Sequence, residues 1–408
     1  MKILFIVPYV PDMVRVRPYN LIRNLTALGH QVSVATLWSN NTERTALEQL
    51  KTDCHQVLAE QTNRWQTLFS CVATLPTSKP LQAAYSWQPK LAKQLISLVN
   101  QNNNDFDVVH VEHLRGSRYG LFLKSEIKSK NKKLPIVWDS VDCISLLFRQ
   151  ASKKSPNLVS RLMTHFETNR TYQYERWLLG QFDRILVTSS VDKSAFESMR
   201  NTGQKQPEIS VIPNGVDLDY FHPIGSGARE PATLVLSGKM SYHANVAMAM
   251  HLVYEILPVV WYQYPEVKLW IVGKDPPQSI RKLAQNPAIQ VTGTVDDIRP
   301  YLQNATIAVA PITYGAGIQN KVLEAMACGT PVIATTQAVS ALSIHPDRDV
   351  LIADEPGNFA QSVLDLLKNP NRQREIGQAG RRYVEENHRW IDITSKLERI
   401  YGQVSHLQ

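Results

Sequence analysis

At roughly 150 residues per domain, a chain of 408 residues is too long for one ordinary domain, and 43% hydrophobic with 20% charged residues excludes a dominant disordered or collagen-like region. The net charge of +8 is unevenly placed: residues 1–216 hold 27 basic and 17 acidic side chains, whereas residues 217–408 carry a net −2. The N-terminal half is therefore expected to face something anionic, with a solvated basic surface as the plain alternative. Four cysteines (54, 71, 143 and 328) lie far apart without a CxxC pair, which excludes a disulfide scaffold and a zinc module. No stretch reads as the roughly 20 apolar residues that span a bilayer, since 251–273 is broken by Glu255, Pro258, Glu266 and Lys268. A cytoplasmic protein is the expectation, either soluble or peripheral at the inner face of the plasma membrane.

Short β-branched runs alternate with helical patterns, the signature of βαβ units in parallel sheets. Strands are expected at 2–7, 31–36, 107–111, 135–138, 184–188 and 209–212, with helices at 18–28, 88–101 and 158–180. After a Pro-, Gly- and Ser-rich stretch at 217–231, the pattern resumes with strands at 233–236, 267–272, 289–292, 306–310 and 331–335. This gives an α/β chain of two doubly wound domains. The first covers 1–216, a linker 217–231 and the second 232–385, and a C-terminal helix at 386–408 packs back on the first domain. Ligands of such domains bind beyond the carboxyl ends of the strands, so a cleft between the domains is the expected site.

The strongest local signal is the run Gly315-Ala316-Gly317-Ile318-Gln319-Asn320-Lys321, followed by Glu324 and stopped by Gly329 and Pro331. It reads as strand, glycine loop, helix and stop, with Asn320 as the cap. Free amides at a helix start, with Lys321 in the first turn, suit the oxygens of a diphosphate. Glu324, one turn further in, is placed for ribose hydroxyls; the plain alternative is a solvated i, i+3 partner of Lys321. An Asn214-Gly215 turn precedes the linker, and Gly238-Lys239 ends a strand at the mouth of the second domain. Lys239 reads either as a phosphate contact or as a surface lysine.

Together with Phe182–Ser190, Trp270–Gly273 and Val291–Asp297, these stretches resemble the retaining, nucleotide-sugar-dependent glycosyltransferases of family four, which have the GT-B fold of two Rossmann-like domains facing across a cleft. The segments RVRPYNLI, VHVEHL and VWDSVDCISLL are similar to a bacterial subgroup associated with exopolysaccharide synthesis. The resemblance implies that Glu324 holds the donor ribose, the amides of Asn320 and Lys321 the diphosphate, and Lys239 its charge. Gly238 would lie at the mouth, loops at Gly273-Lys274 and Thr294-Val295 would sandwich the base, and Gly315, Gly317, Ile318 and Gln319 would line the sugar. On the acceptor side it implies Glu112 or His113 facing the reacting sugar, with Asp139 and Asp142 as further candidates and Arg15 and Arg17 serving a phosphate. The family's usual first glutamate of a spaced pair is Ala316 here, so sugar specificity does not transfer.

The expected reaction moves a sugar from a UDP- or GDP-linked donor to a glycan or lipid-linked acceptor with retained configuration. It needs no cofactor and no metal, because Lys239, Lys321 and the helix start take the charge of the leaving diphosphate. A double displacement on Glu112 is the less supported course. Rival readings are a nucleotide-sugar epimerase of the same architecture and a non-catalytic binding scaffold. Lys124, Lys128, Lys130, Lys132 and Lys133, followed by Arg149, Lys153 and Lys154, read either as a solvated lysine-rich surface, the favoured alternative, or as a contact with anionic lipid. Nucleic acid is not an expected partner, as no recognition module accompanies the charge.

Overall fold

The computed structural model describes residues 1–13, 15–101, 105–129, 133–154, 158–200, 206–225, 229–315 and 317–406. Lys130, Lys132 and Ala316 lie outside the described residues, as do the side chains of Lys153 and Lys154. Two compact units are present: Met1–Pro213 with Trp390–Gln408, and Asn214–Arg389.

The first unit is built on β1 (Lys2–Val7), β2 (Gln31–Trp38), β3 (Gln56–Gln61), β4 (Val108–Glu112), β5 (Ile136–Val141), β6 (Arg184–Val187) and β7 (Ile209–Val211). Their spatial order is β3-β2-β1-β4-β5-β6-β7, with parallel pairing such as Phe5 beside His110 and Val111 beside Trp138. Both faces are covered, so Ile3 to Val7 are fully buried and read as a continuous apolar run. The order reverses between β1 and β4, which makes their carboxyl ends the switch point of this sheet.

The second unit repeats the plan with β8 (Glu230–Ser237), β9 (Lys268–Val272), β10 (Ile289–Gly293), β11 (Ala305–Ala310), β12 (Val332–Ala334) and β13 (Leu351–Ile352), ordered β10-β9-β8-β11-β12-β13. Its switch point falls between β8 and β11. The segment His243–Gln263 is long and apolar enough to cross a bilayer by length and composition, contrary to the expectation from sequence. Half of its most apolar window is buried, however, and Met248, Leu252, Ile256 and Val260 belong to this unit's core.

Domain limits differ from those expected. The described part of the presumed linker belongs to the second unit: the Val216 amide donates to the His388 carbonyl at 2.8 Å, and Leu218 and Phe221 pack on the second core. At the far end there are two helices. Pro370–Asn387 stays with the second unit, and Trp390–His406 joins the first, where Trp390, Ile393, Leu397, Tyr401 and Val404 share a core with Ile3, Phe5 and Leu21.

Candidate functional site

In the second unit, three strand ends are tied together. The Gly238 amide donates to the Val272 carbonyl at 3.0 Å, Gly273 to Gly293 at 3.2 Å, and Met240 to Lys274 at 2.9 Å. Gly273 has φ +151°, and a Cβ placed there would lie 1.7 Å from the Gly238 carbonyl oxygen. Only glycine lets these two backbones meet. Lys239 and Lys274 are exposed beyond this junction, Thr294 is exposed and Val295 half-buried.

Across the switch point, β11 leads into the glycine loop. Gly317 is left-handed at φ +70°, the Gly315 carbonyl accepts from Gln337 Nε2 at 2.8 Å, and Ile318 is buried. The helix Asn320–Ala327 follows. Its N-cap is Gln319, which makes no side-chain cap bond, and not Asn320 as expected. Asn320 is the first helical residue, and its Oδ1 faces Asn214 Nδ2 at 3.4 Å. The first amides of this helix thus keep no cap from the residue placed to give one.

Lys321 and Glu324 sit half-buried on this helix. Lys321 Nζ donates to Asn245 Oδ1 at 2.5 Å, and Asn245 Nδ2 donates to the Lys239 carbonyl at 2.9 Å. Burial lowers the Lys321 ammonium to about 8, with the Glu324 charge opposing. Burial also raises the Glu324 carboxyl to about 7, with Lys321 opposing. Among the described residues Glu324 makes no side-chain hydrogen bond, so a desolvated carboxylate stands beside a desolvated ammonium with its oxygens uncommitted. Desolvated, perturbed groups of this kind at a strand-end switch point make a candidate binding site. The sequence reading missed Asn245, and also His243, whose Nδ1 bonds the Tyr314 hydroxyl at 2.8 Å and whose ring stacks on it. A cavity of about 810 Å³ opens at the opposite, amino-terminal edge of this sheet, by Arg229, Pro231, Thr306 and Pro331, and contains none of these groups.

In the first unit the strand-end charges turn inward. Arg17 Nε and Nη2 donate to Asp139 Oδ2 at 2.9 and 2.7 Å, and Nη1 donates to the Ile212 carbonyl at 2.9 Å. Both partners are buried, so Arg17 and Asp139 are a scaffold pair and not the acceptor contacts expected of them. Glu112 is likewise enclosed: it is 1% exposed, its Oε1 accepts from the Tyr9 hydroxyl at 2.9 Å, and its Oε2 has no hydrogen-bond partner among the described residues. Burial, then the Asp139 charge, push its carboxyl well above the usual carboxylate range. His110, Glu112 and Asp139 hold ligand-type atoms within 4.8 Å of one another, but the cation beside them is Arg17.

Arg15 ion-pairs with Glu43 at 2.8 Å and lies over the Tyr9 ring. His113 and Val141, at the carboxyl ends of β4 and β5, have φ +62° and +67°. Positive φ at a β-branched valine is a genuine strain, and such strain gathers at functional sites. Burial and Arg115 lower the His113 imidazole to about 3, which keeps it neutral. Asp142 accepts from Thr188 Oγ1 at 3.2 Å and is raised to about 7 by burial, then by Asp192. Of the acceptor-side candidates, His113 and Asp142 are the half-buried groups at the strand ends.

Comparisons with known proteins bear on both units. The family model described as Glycosyltransferase Family 4 matches residues 14–220, and that described as Glycosyl transferases group 1 matches residues 231–369. Alpha-maltose-1-phosphate synthase of Mycolicibacterium smegmatis is 27% identical over 271 residues, 57% of this chain and 67% of that protein. A GDP-mannose-dependent monoacylated alpha-(1-6)-phosphatidylinositol monomannoside mannosyltransferase of Corynebacterium glutamicum is 28% identical over 228 residues; these are 51% of this chain and only 58% of that enzyme. Among solved structures, Anabaena HepE in complex with UDP and glucose aligns over 98% of this chain and 99% of its own, with TM-score 0.69 and 15% identity, a likeness of fold.

Proposed function

The chain belongs to glycosyltransferase family 4, and from that premise we propose that it moves a sugar from a nucleoside-diphosphate sugar to a glycan or lipid-linked acceptor with retention of configuration. The uncommitted Glu324 carboxylate beside Lys321 carries the donor reading. Glu324 takes the ribose hydroxyls, the amides of Asn320 and Lys321 take the diphosphate, and Lys239 adds an exposed cation. The loops at Gly273-Lys274 and Thr294-Val295 enclose the base, and Gly315, Gly317, Ile318 and Gln319 border the sugar.

In the proposed reaction the bond from the anomeric carbon to the diphosphate oxygen breaks, and the electron pair leaves with the phosphate. Lys321, Lys239 and the helix amides stabilise that charge, in the manner of preorganised donors that need no reorganisation at the transition state. The acceptor hydroxyl forms the new bond on the same face, and the departing phosphate oxygen takes its proton. This course needs neither a protein nucleophile nor a metal. HepE was solved with UDP and the mannosyltransferase relative uses GDP-mannose, so UDP and GDP are the donors' proposed carriers. A role in exopolysaccharide or envelope glycan synthesis, on the cytoplasmic side of an anionic membrane, fits the basic N-terminal half.

Calorimetric titration with UDP, GDP and ADP in a metal chelator tests the reading. Micromolar binding of UDP or GDP is expected. Absence of binding by all three favours a scaffold, and release of an epimerised nucleotide sugar without transfer favours an epimerase.

A further inference from the structure

The helix Arg64–Thr74 is turned the wrong way for a core element. Its large apolar residues recur at i, i+3, i+4 and i+7, a spacing that normally marks the buried stripe. Here the buried residues are Ser70 and Thr74, while Trp65 is 80%, Leu68 55%, Phe69 70% and Val72 55% exposed. The helix is firmly started, with Asn63 Oδ1 accepting from the Trp65 and Gln66 amides, and the side it buries carries hydroxyls. Leu75 extends the stripe at 51% exposure.

The surrounding surface continues the pattern. Arg170 holds the Thr74 and Thr77 carbonyls, each at 2.7 Å, and its guanidinium covers the ring of Phe166, itself 55% exposed. Lys79 and Trp177 line one cavity with Thr74. From Gln61 to Asn104 the sequence contains Arg64, Lys79, Lys90 and Lys93 and not a single aspartate or glutamate. Contiguous exposed apolar surface of this kind marks an interaction site. Glu167 beside Cys71 is ion-paired with Arg170 and Glu60 with Lys90, so the exposed charge left around the ridge is that of Arg64, Lys79 and Lys93, which suits acyl chains beneath anionic headgroups.

We infer that the helix Arg64–Thr74 is a membrane-docking element that seats Trp65, Leu68, Phe69 and Val72 in an anionic lipid surface. The inference rests on the proposed lipid-linked acceptor and moves the contact from the lysines of 124–133, where Lys124 is already engaged with the Gln181 carbonyl and Asp183, to an apolar face. Such docking holds the first unit at the surface where a lipid-linked acceptor is presented.

Sedimentation of the full chain with phosphatidylglycerol/phosphatidylcholine vesicles, and with pure phosphatidylcholine vesicles, tests it. The wild type should pellet with the anionic vesicles, and Phe69→Asp and the double variant Trp65→Ser/Phe69→Ser should bind them at least about tenfold more weakly, with UDP titrations unchanged. Equal binding by wild type and variants, or no binding by the wild type, overturns the inference. So does a wild-type dimer that Phe69→Asp splits, which would give this face to a second copy of the chain. Vesicle binding that persists in a protein unable to bind UDP would sink the donor reading and leave the docking element standing.

Discussion

The two sheets share a topology and place charged groups at the same kind of position, yet they treat them oppositely. At the switch point of the first sheet, Arg17 is paired with Asp139 and the Tyr9 hydroxyl donates to Glu112 Oε1 inside the protein, while Glu112 Oε2 and His110 Nε2 are left without a hydrogen-bond partner among the described residues. At that of the second, among the described residues, Lys321 Nζ has one amide partner and the Glu324 side chain makes no hydrogen bond. In the first unit the full charges close on one another in the Arg17–Asp139 pair, whereas in the second a desolvated carboxylate stays open to a ligand.

The comparison breaks first if the Arg17 pair proves dispensable. Arg17→Met leaves the Asp139 carboxylate buried without its cation and should cost about 3–5 kcal/mol in urea unfolding, with UDP affinity unchanged in whatever protein remains folded. Next in size is Gly273→Ala, whose methyl would run into the Gly238 carbonyl in a left-handed backbone. It should lose at least about 2 kcal/mol of stability and weaken nucleotide binding together.

The titrations of Lys321 and Glu324 sharpen the contrast. Lys321 is held at about 8 against the model-peptide 10.5, so across that window the unfolded chain binds the extra proton and stability rises with pH. Glu324 is held at about 7 against 4.5, so the folded protein keeps the extra proton between those values and stability falls as pH rises through them. UDP affinity should decline above pH 8, by no more than about tenfold per pH unit, as the ammonium is lost. Lys321→Arg should flatten that decline in a calorimetric pH series. The smallest effect belongs to Tyr401→Phe, which deletes the hydroxyl 2.8 Å from His110 Nδ1 and should cost about 1 kcal/mol in unfolding without changing nucleotide binding.

Much of this was legible in the chain itself, because parallel strands buried on both faces announce themselves as unbroken apolar runs. Eleven strands were expected close to their observed places. The two that were not, β3 and β13, sit at sheet edges, where β3 is only half-buried and β13 is two residues long. The glycine loop, Lys321 and Glu324 were visible as a local motif. Asn245 was not, since it reaches Lys321 across 76 positions of sequence. The enclosure of Glu112 was hidden for the complementary reason: the end of a strand looks accessible in sequence, and only the packing of Tyr9 and Arg17 around it removes it from solvent. The outward stripe at Trp65 had the spacing of a core helix, and nothing local distinguishes a stripe that faces a core from one that does not.

The central claim is that the uncommitted carboxylate on the helix Asn320–Ala327 grips the donor nucleotide. Parallel UDP titrations and thermal melts of the wild type and Glu324→Gln test it most directly. The account predicts affinity weaker by about tenfold or more with a melting temperature little changed, because the Glu324 side chain makes no hydrogen bond among the described residues. Equal affinities in the two proteins would contradict it and take Glu324 out of the site.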